Sequence, residues 1–245
     1  MGLFKRRTKK SFRAEHGTEH LLSENSPFAV QEAYKAIRTN IMFSIPEERC
    51  KKIVISSSLQ GEAKSTTAAN LAIAFAQNHA KVLLIDCDLR LPTIASRLGI
   101  SQTPGLTNLL VGLSSAKDVI HHLPEGLDVL PAGDIPPNPT ELLGSNKMQK
   151  LLESLEGYYE YILIDTPPVT TVADAVILAK QTSGVILVVR QGVSTQESIA
   201  DTLKKLEFSE ANVLGFILTD VVNEKYKNYK KGYYGYGNSY SNRIG

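Results

Sequence analysis

Six short runs in this chain are apolar along nearly their whole length: Lys52 to Ser56, Val82 to Asp86, Leu127 to Pro131, Tyr161 to Asp165, Val185 to Arg190 and Val213 to Thr219. A strand with one face in water alternates apolar and polar residues. A run such as "VLLID" or "YILID" does not, so both of its faces are covered. Helical patterns separate the runs, at Ser65 to Asn78, Ser145 to Leu155, Asp174 to Lys180 and Thr195 to Leu206. Doubly buried strands alternating with helices predict an α/β fold, a mainly parallel sheet flanked by helices. In such a sheet ligands bind at the carboxyl ends of the strands. Here "ISSSLQGEAKS", "LLIDCDLR" and "YILIDTPP" each place polar residues at such an end.

The chain divides into three stretches. Residues 1–26 are polar and aperiodic, with the basic start "MGLFKRRTKK", and read as a flexible arm. Residues 27–222 hold the periodic segments, opening on an amphipathic helix after Pro27 with Phe28, Ala29, Ala33, Ala36, Ile37, Ile41 and Met42 at helical spacing. Residues 223–245 abandon periodicity for Tyr, Gly, Lys, Asn and Ser and read as a flexible tail. No apolar run approaches the roughly 20 residues of a membrane span. The start lacks an apolar signal region, and Arg6 breaks the myristoylation pattern. The basic arm is expected to be a solvated terminus, or else to touch an anionic membrane at about 1 kcal/mol per basic residue. A net charge of +2 does not by itself point to nucleic acid. Cys50 and Cys87 are too far apart for a C-x-x-C pair, which fits a reducing cytoplasm. The pairs His16/His20 and His121/His122 bring no third ligand and are read as non-functional.

The stretch "GEAKST" reads as a phosphate-binding loop leading into a helix: Gly61 for close backbone approach, Lys64 for phosphate charge, Ser65 for a metal, and Thr66 opening the helix. Ser58 and Ala63 stand where G-x-x-x-x-G-K-[ST] has glycines, so a plain strand–turn–helix connection is the competing reading. If Ala63 must adopt a left-handed backbone, its Cβ costs roughly 1–2 kcal/mol. Asp86 and Asp88 close one apolar strand and Asp165 closes another. Buried carboxylates are costly unless paired with a cation or metal. Each alone could cap a helix or sit in a turn; together with Lys64 and Ser65 they suggest Mg²⁺.

The loop, the D-x-D-x-R sequence of Asp86, Asp88 and Arg90, the "IDTPP" segment, "IPPNPTELL" (Ile135 to Leu143) and the tyrosine-rich tail together resemble the bacterial tyrosine kinases of capsule and exopolysaccharide synthesis, in their cytoplasmic Gram-positive form. The resemblance runs from about residue 28 to the end. It implies a P-loop NTPase of the deviant-Walker type that uses ATP and Mg²⁺ to autophosphorylate tail tyrosines and so controls polysaccharide synthesis and export. Carried onto this sequence, Gly61, Glu62, Ala63, Lys64, Ser65, Thr66 and Arg90 bind the nucleotide. Ser65 and Asp86 handle the metal, with Asp165 in its outer sphere. Asp86 or Asp88 accepts the phenol proton, and Tyr226, Tyr229, Tyr233, Tyr234, Tyr236 and Tyr240 are the acceptors. Glu32, Lys35 and Arg38 are otherwise read as a solvated helix face. They match the family's E-x-x-R-x-x-R ring-assembly motif, except that Lys35 replaces the first arginine and weakens its bidentate contact.

The resemblance further implies a separate transmembrane activator, a cognate tyrosine phosphatase and recruitment to the inner face of the cell membrane, with no nucleic acid partner. The tail's basic residues, Lys225, Lys227, Lys230 and Lys231, offer nucleic acid as a weaker alternative. Two further readings are a partitioning ATPase of the same superfamily and a nucleotide-binding adaptor weakened by Ala63. Partitioning relatives usually carry a second lysine early in the loop, where Ser57 and Ser58 stand here.

Overall fold

A computed structural model describes residues 20–45 and 49–221. Residues 1–19 of the expected arm and the six candidate tail tyrosines, Tyr226 to Tyr240, lie outside the described residues. The chain begins with α1 (Phe28–Ser44), β1 (Lys51–Ser57), α2 (Lys64–Ala76) and β2 (Val82–Asp86). Three short helices follow, α3 (Ile94–Leu98), α4 (Leu106–Val111) and α5 (Ala116–Val119), then β3 (His121–His122) and β4 (Leu127–Leu130). The remainder is α6 (Pro139–Leu143), α7 (Asn146–Leu155), β5 (Tyr161–Asp165), α8 (Asp174–Ala179), β6 (Gly184–Arg190), α9 (Gln196–Phe208) and β7 (Val213–Thr219).

The strands form one seven-stranded sheet in the order β3-β4-β2-β5-β1-β6-β7. All neighbours run parallel except β3, which lies antiparallel to β4. The absence of apolar–polar alternation is explained by two cores. Ile53, Ile55, Leu84, Leu163 and Val188 face α1, α2 and α3 on one side. Val54, Leu83, Ile85, Ile164 and Leu187 face the other, beneath Leu106, Leu143, Met148, Leu178 and Leu206. No helix among the described residues is long and apolar enough to cross a membrane.

The order matters for chemistry because β2, β5 and β1 are adjacent, so the three acidic or phosphate-loop ends lie side by side. Asp86 and Asp165 are register partners across β2 and β5, and Ile55, two residues before the end of β1, is opposite Asp165. The loops beyond are packed closely. A Cβ on Gly105 would lie 2.3 Å from the Gly133 nitrogen, so only glycine lets α4 start against the loop after β4. At the sheet's edge, His122 Nδ1 sits 2.6 Å from Asp128, which also accepts a 2.7 Å bond from the Tyr159 hydroxyl. That pairing ties His122 of β3 to Asp128 of β4 at the surface.

Candidate active site

The loop between β1 and α2 begins where the sheet can no longer hold the backbone and ends where the helix needs a cap. Gly61 takes φ +83° and Ala63, the N-cap of α2, takes φ 66° and ψ 22°. The left-handed conformation considered for Ala63 is therefore the one it adopts, at roughly 1–2 kcal/mol relative to glycine. Lys64 is the first residue of α2 and Ser65 the second, so both project from the helix N-terminus where free N–H groups favour an anion.

Lys64 sits at the centre of the acids. Its Nζ donates to Asp88 Oδ2 at 2.8 Å and to Ser65 Oγ at 3.2 Å, and lies 3.6 Å from Asp165 Oδ1. Burial opposes the ammonium, but the charges of Asp165 and Asp88 outweigh it and raise the Lys64 pKa. The three acids are held differently. Asp86 is fully buried and accepts three backbone N–H bonds, from Asp88 at 3.1 Å and from Thr93 and Ile94 at 3.1 and 3.0 Å. Burial, followed by the charge of Asp165, nevertheless pushes its carboxyl up to about 8. Asp88 accepts from Leu91 N on one oxygen and from Lys64 on the other. Asp165 is fully buried with no hydrogen-bond partner on either oxygen, and burial raises its pKa too.

A buried carboxylate without hydrogen bonds, beside a lysine already paired with Asp88, fits a cation site. Among the described residues no three His, Cys, Asp or Glu side chains converge at metal-ligating distance. Mg²⁺ is commonly held by one or two carboxylates plus substrate phosphates and waters.

Other expected residues lie elsewhere in the network. Glu62, assigned to the nucleotide, turns inward: its Oε2 accepts from Leu59 N at 2.8 Å and its Oε1 from the Ser194 hydroxyl, so it braces the loop from behind. Arg90 donates to Thr140 Oγ1 at 2.9 Å and lies 3.5 Å from Asp174 Oδ2. Thr66 is half-buried on the first turn of α2. On α1, Lys35 pairs with Glu32 at 2.7 Å in the open, whereas Arg38 bends inward and donates to the Ala74 carbonyl at 2.8 Å. The three expected assembly residues therefore do not form one solvated face.

Sequence reading passed over Arg190, Ser194 and Thr219, which also hold the loop. Arg190 donates to the Gly61 carbonyl at 2.8 Å and pairs with Asp220, and the Thr219 hydroxyl donates to the Glu62 carbonyl at 3.3 Å. Arg190 carried a signal of the same kind as Asp165, a charge at the close of an apolar strand.

Residues 50–214 match the family model described as an AAA domain. The chain is 42% identical over 205 residues to tyrosine-protein kinase YwqD of Bacillus subtilis, covering 83% of this chain and 86% of that protein. The chain belongs to the bacterial tyrosine-protein kinases. Another relative, CpsD of Streptococcus agalactiae, is 41% identical over 194 residues, 78% of this chain and 82% of its own. The solved kinase domain of Escherichia coli tyrosine kinase Etk superposes with a TM-score of 0.76 at 32% identity, covering 83% of each chain. The fold is that of a P-loop NTPase. The septum site-determining protein MinD of Pyrococcus horikoshii, solved with Mg-ADP, matches with a TM-score of 0.59 at 28% identity over 69% of this chain and 70% of that one. The Lys64 cluster lies at the carboxyl ends of β1, β2 and β5, the end of a parallel sheet at which ligands bind.

Proposed function

We propose that this kinase transfers the γ-phosphoryl group of ATP to tyrosines of its own C-terminal tail at the Lys64 cluster, and thereby regulates synthesis and export of a surface polysaccharide. The observation that carries the reading is Lys64 at the start of α2, held between Asp88 and Asp165. ATP phosphates draw Lys64 off the carboxylates, because they bring more negative charge to the same helix N-terminus. Asp88, released from the lysine, accepts the proton of the attacking phenol. Asp86, fixed by its three N–H bonds, shapes the β2 end and, with Ser65 and Asp165, would hold Mg²⁺. Mg²⁺ bound there would supply positive charge against the phosphoryl oxygens. Gly61, Ala63 and Thr66 supply the backbone of the cradle.

The acceptors are Tyr226, Tyr229, Tyr233, Tyr234, Tyr236 and Tyr240, reached from a neighbouring copy in a ring-like assembly. The exposed Glu32 and Lys35 pair of α1 serves that assembly; Arg38 contributes by fixing α1 on α2. A transmembrane activator recruits the kinase to the inner membrane face, and a tyrosine phosphatase resets the tail. The test uses the full chain with labelled ATP and Mg²⁺, followed by phosphotyrosine detection. Lys64→Met and Asp88→Asn should each lower autophosphorylation by about 10² or more, some 2.7 kcal/mol of transition-state stabilisation. Near wild-type labelling in both variants would remove the assignment. Release of inorganic phosphate with no phosphotyrosine would favour the partitioning-ATPase reading instead.

A further inference from the structure

Three loops leave the active end of the sheet around the acids, and each sends one side chain to a common point. Arg90, from the loop after β2, donates Nη2–H to Thr140 Oγ1 at 2.9 Å. Thr140, in the first turn of α6, donates that hydroxyl's proton to Asp174 Oδ1 at 2.6 Å. Asp174, the first residue of α8, completes the circuit with its Oδ2 3.5 Å from Arg90 Nε. The carboxylate is fully buried, and its Oδ2 has no hydrogen-bond partner, the arginine meeting it only as an ion pair. A buried acid of this kind is costly unless a cation and a good donor meet it. Here both come from other loops. The Thr140 hydroxyl accepts and donates at once, which fixes its rotamer and makes it the hinge pin of the three.

The position of this circuit gives it a purpose beyond packing. Arg90 lies two residues beyond Asp88, which holds Lys64 at 2.8 Å, and Asp174 terminates the loop that starts at Asp165, 3.6 Å from the same lysine. We infer that Arg90, Thr140 and Asp174 form a positioning triad that sets the separation of Asp88 and Asp165 across the reacting phosphate, acting on turnover more than on nucleotide binding. Arg90 on this view serves through Asp88 and is no phosphate ligand. The inference rests on the placement of phosphoryl transfer at Lys64.

Thr140→Val keeps the side-chain shape while removing both hydrogen bonds, and Thr140→Ser keeps both bonds. The full chain is assayed for phosphotyrosine turnover against ATP concentration, for ADP affinity by calorimetry and for thermal unfolding. Misplacing a reacting group slightly is worth about tenfold to a hundredfold in rate. Thr140→Val and Asp174→Asn should each lower kcat by about that factor, with ADP affinity and KM for ATP within about threefold of wild type, and Thr140→Ser should restore kcat. Wild-type kcat in Thr140→Val overturns the triad, as does a loss that serine fails to rescue. A defect confined to ADP affinity overturns it as well, since that is the mark of a phosphate ligand. Lys64→Met run in parallel separates the two readings: a dead Lys64→Met with an unimpaired Thr140→Val removes the triad alone, and an active Lys64→Met removes the site.

Discussion

The two ends of α2 are finished in opposite ways. At the C-terminal end every carbonyl of the last turn has a partner: Ile73 and Phe75 accept from Gln77 and Asn78, Ala76 from His79, and Ala74 from Arg38 of α1. Ala63 at the N-terminal end is left-handed, no side chain caps the helix, and Asp165 is buried nearby without hydrogen bonds. A helix terminus ordinarily leaves four groups seeking partners. This protein satisfies them at the end packed on α1 and leaves them available at the end proposed to take a phosphate. The difference is a division of labour within 13 residues: one end anchors the helix so that the other can carry strain and unpaired charge.

Breaking that contrast gives the largest effect at the charged end. Asp86 is raised from its ordinary 3.8 to about 8, first by burial and then by Asp165. The folded state thus keeps a proton that the unfolded chain gives up, so stability is greatest below the unfolded pKa and declines as pH rises from about 4 towards 8. Urea unfolding of the nucleotide-free protein at several pH values should show this decline, and Asp86→Asn should flatten it. An unchanged slope in the variant would assign the decline to other groups.

The anchored end comes next. Arg38→Ala leaves the Ala74 carbonyl buried and unpaired, a cost of about 1–3 kcal/mol that denaturant unfolding can read. Glu32→Ala removes only an exposed pair and should cost less than about 0.5 kcal/mol. Equal costs for the two would mean that Arg38 anchors nothing. The smallest effect is at the cap itself: Ala63→Gly relieves the left-handed alanine but loosens the unfolded chain, for a net gain of at most about 1 kcal/mol. Unfolding and ADP titration of this variant, if both unchanged, would show a loop already adapted to alanine.

Much of the frame was legible in the sequence because doubly buried strands leave continuous apolar runs. The expected bounds of Val82–Asp86, Tyr161–Asp165 and Val213–Thr219 coincide with β2, β5 and β7. The meeting of Asp88 and Asp165 at Lys64, with Asp86 beside Asp165 in register, followed from their place at or just beyond the ends of β2 and β5. Helices α3 to α6, of four to six residues, were not legible, whereas α8, of six, was. α3 starts where Asp86 receives its N–H groups, and α4 starts where Gly105 meets Gly133; both are tertiary events. The same limit hid the inward turn of Arg38, whose partner is 36 residues away, and the bracing role of Glu62, whose partner Ser194 is 132 residues away.

The brace behind the phosphate loop also sets a timetable for synthesis. Gly61 and Glu62 leave the ribosome long before the strands that hold them, because Arg190 follows Gly61 by 129 residues and Thr219 follows Glu62 by 157. At about 5–20 residues per second, translation takes roughly 8 to 30 s to deliver those partners. For that interval the nascent loop has its sequence but not its backing. The loop therefore gains its backing only after β6 and β7 have been made and have joined the sheet.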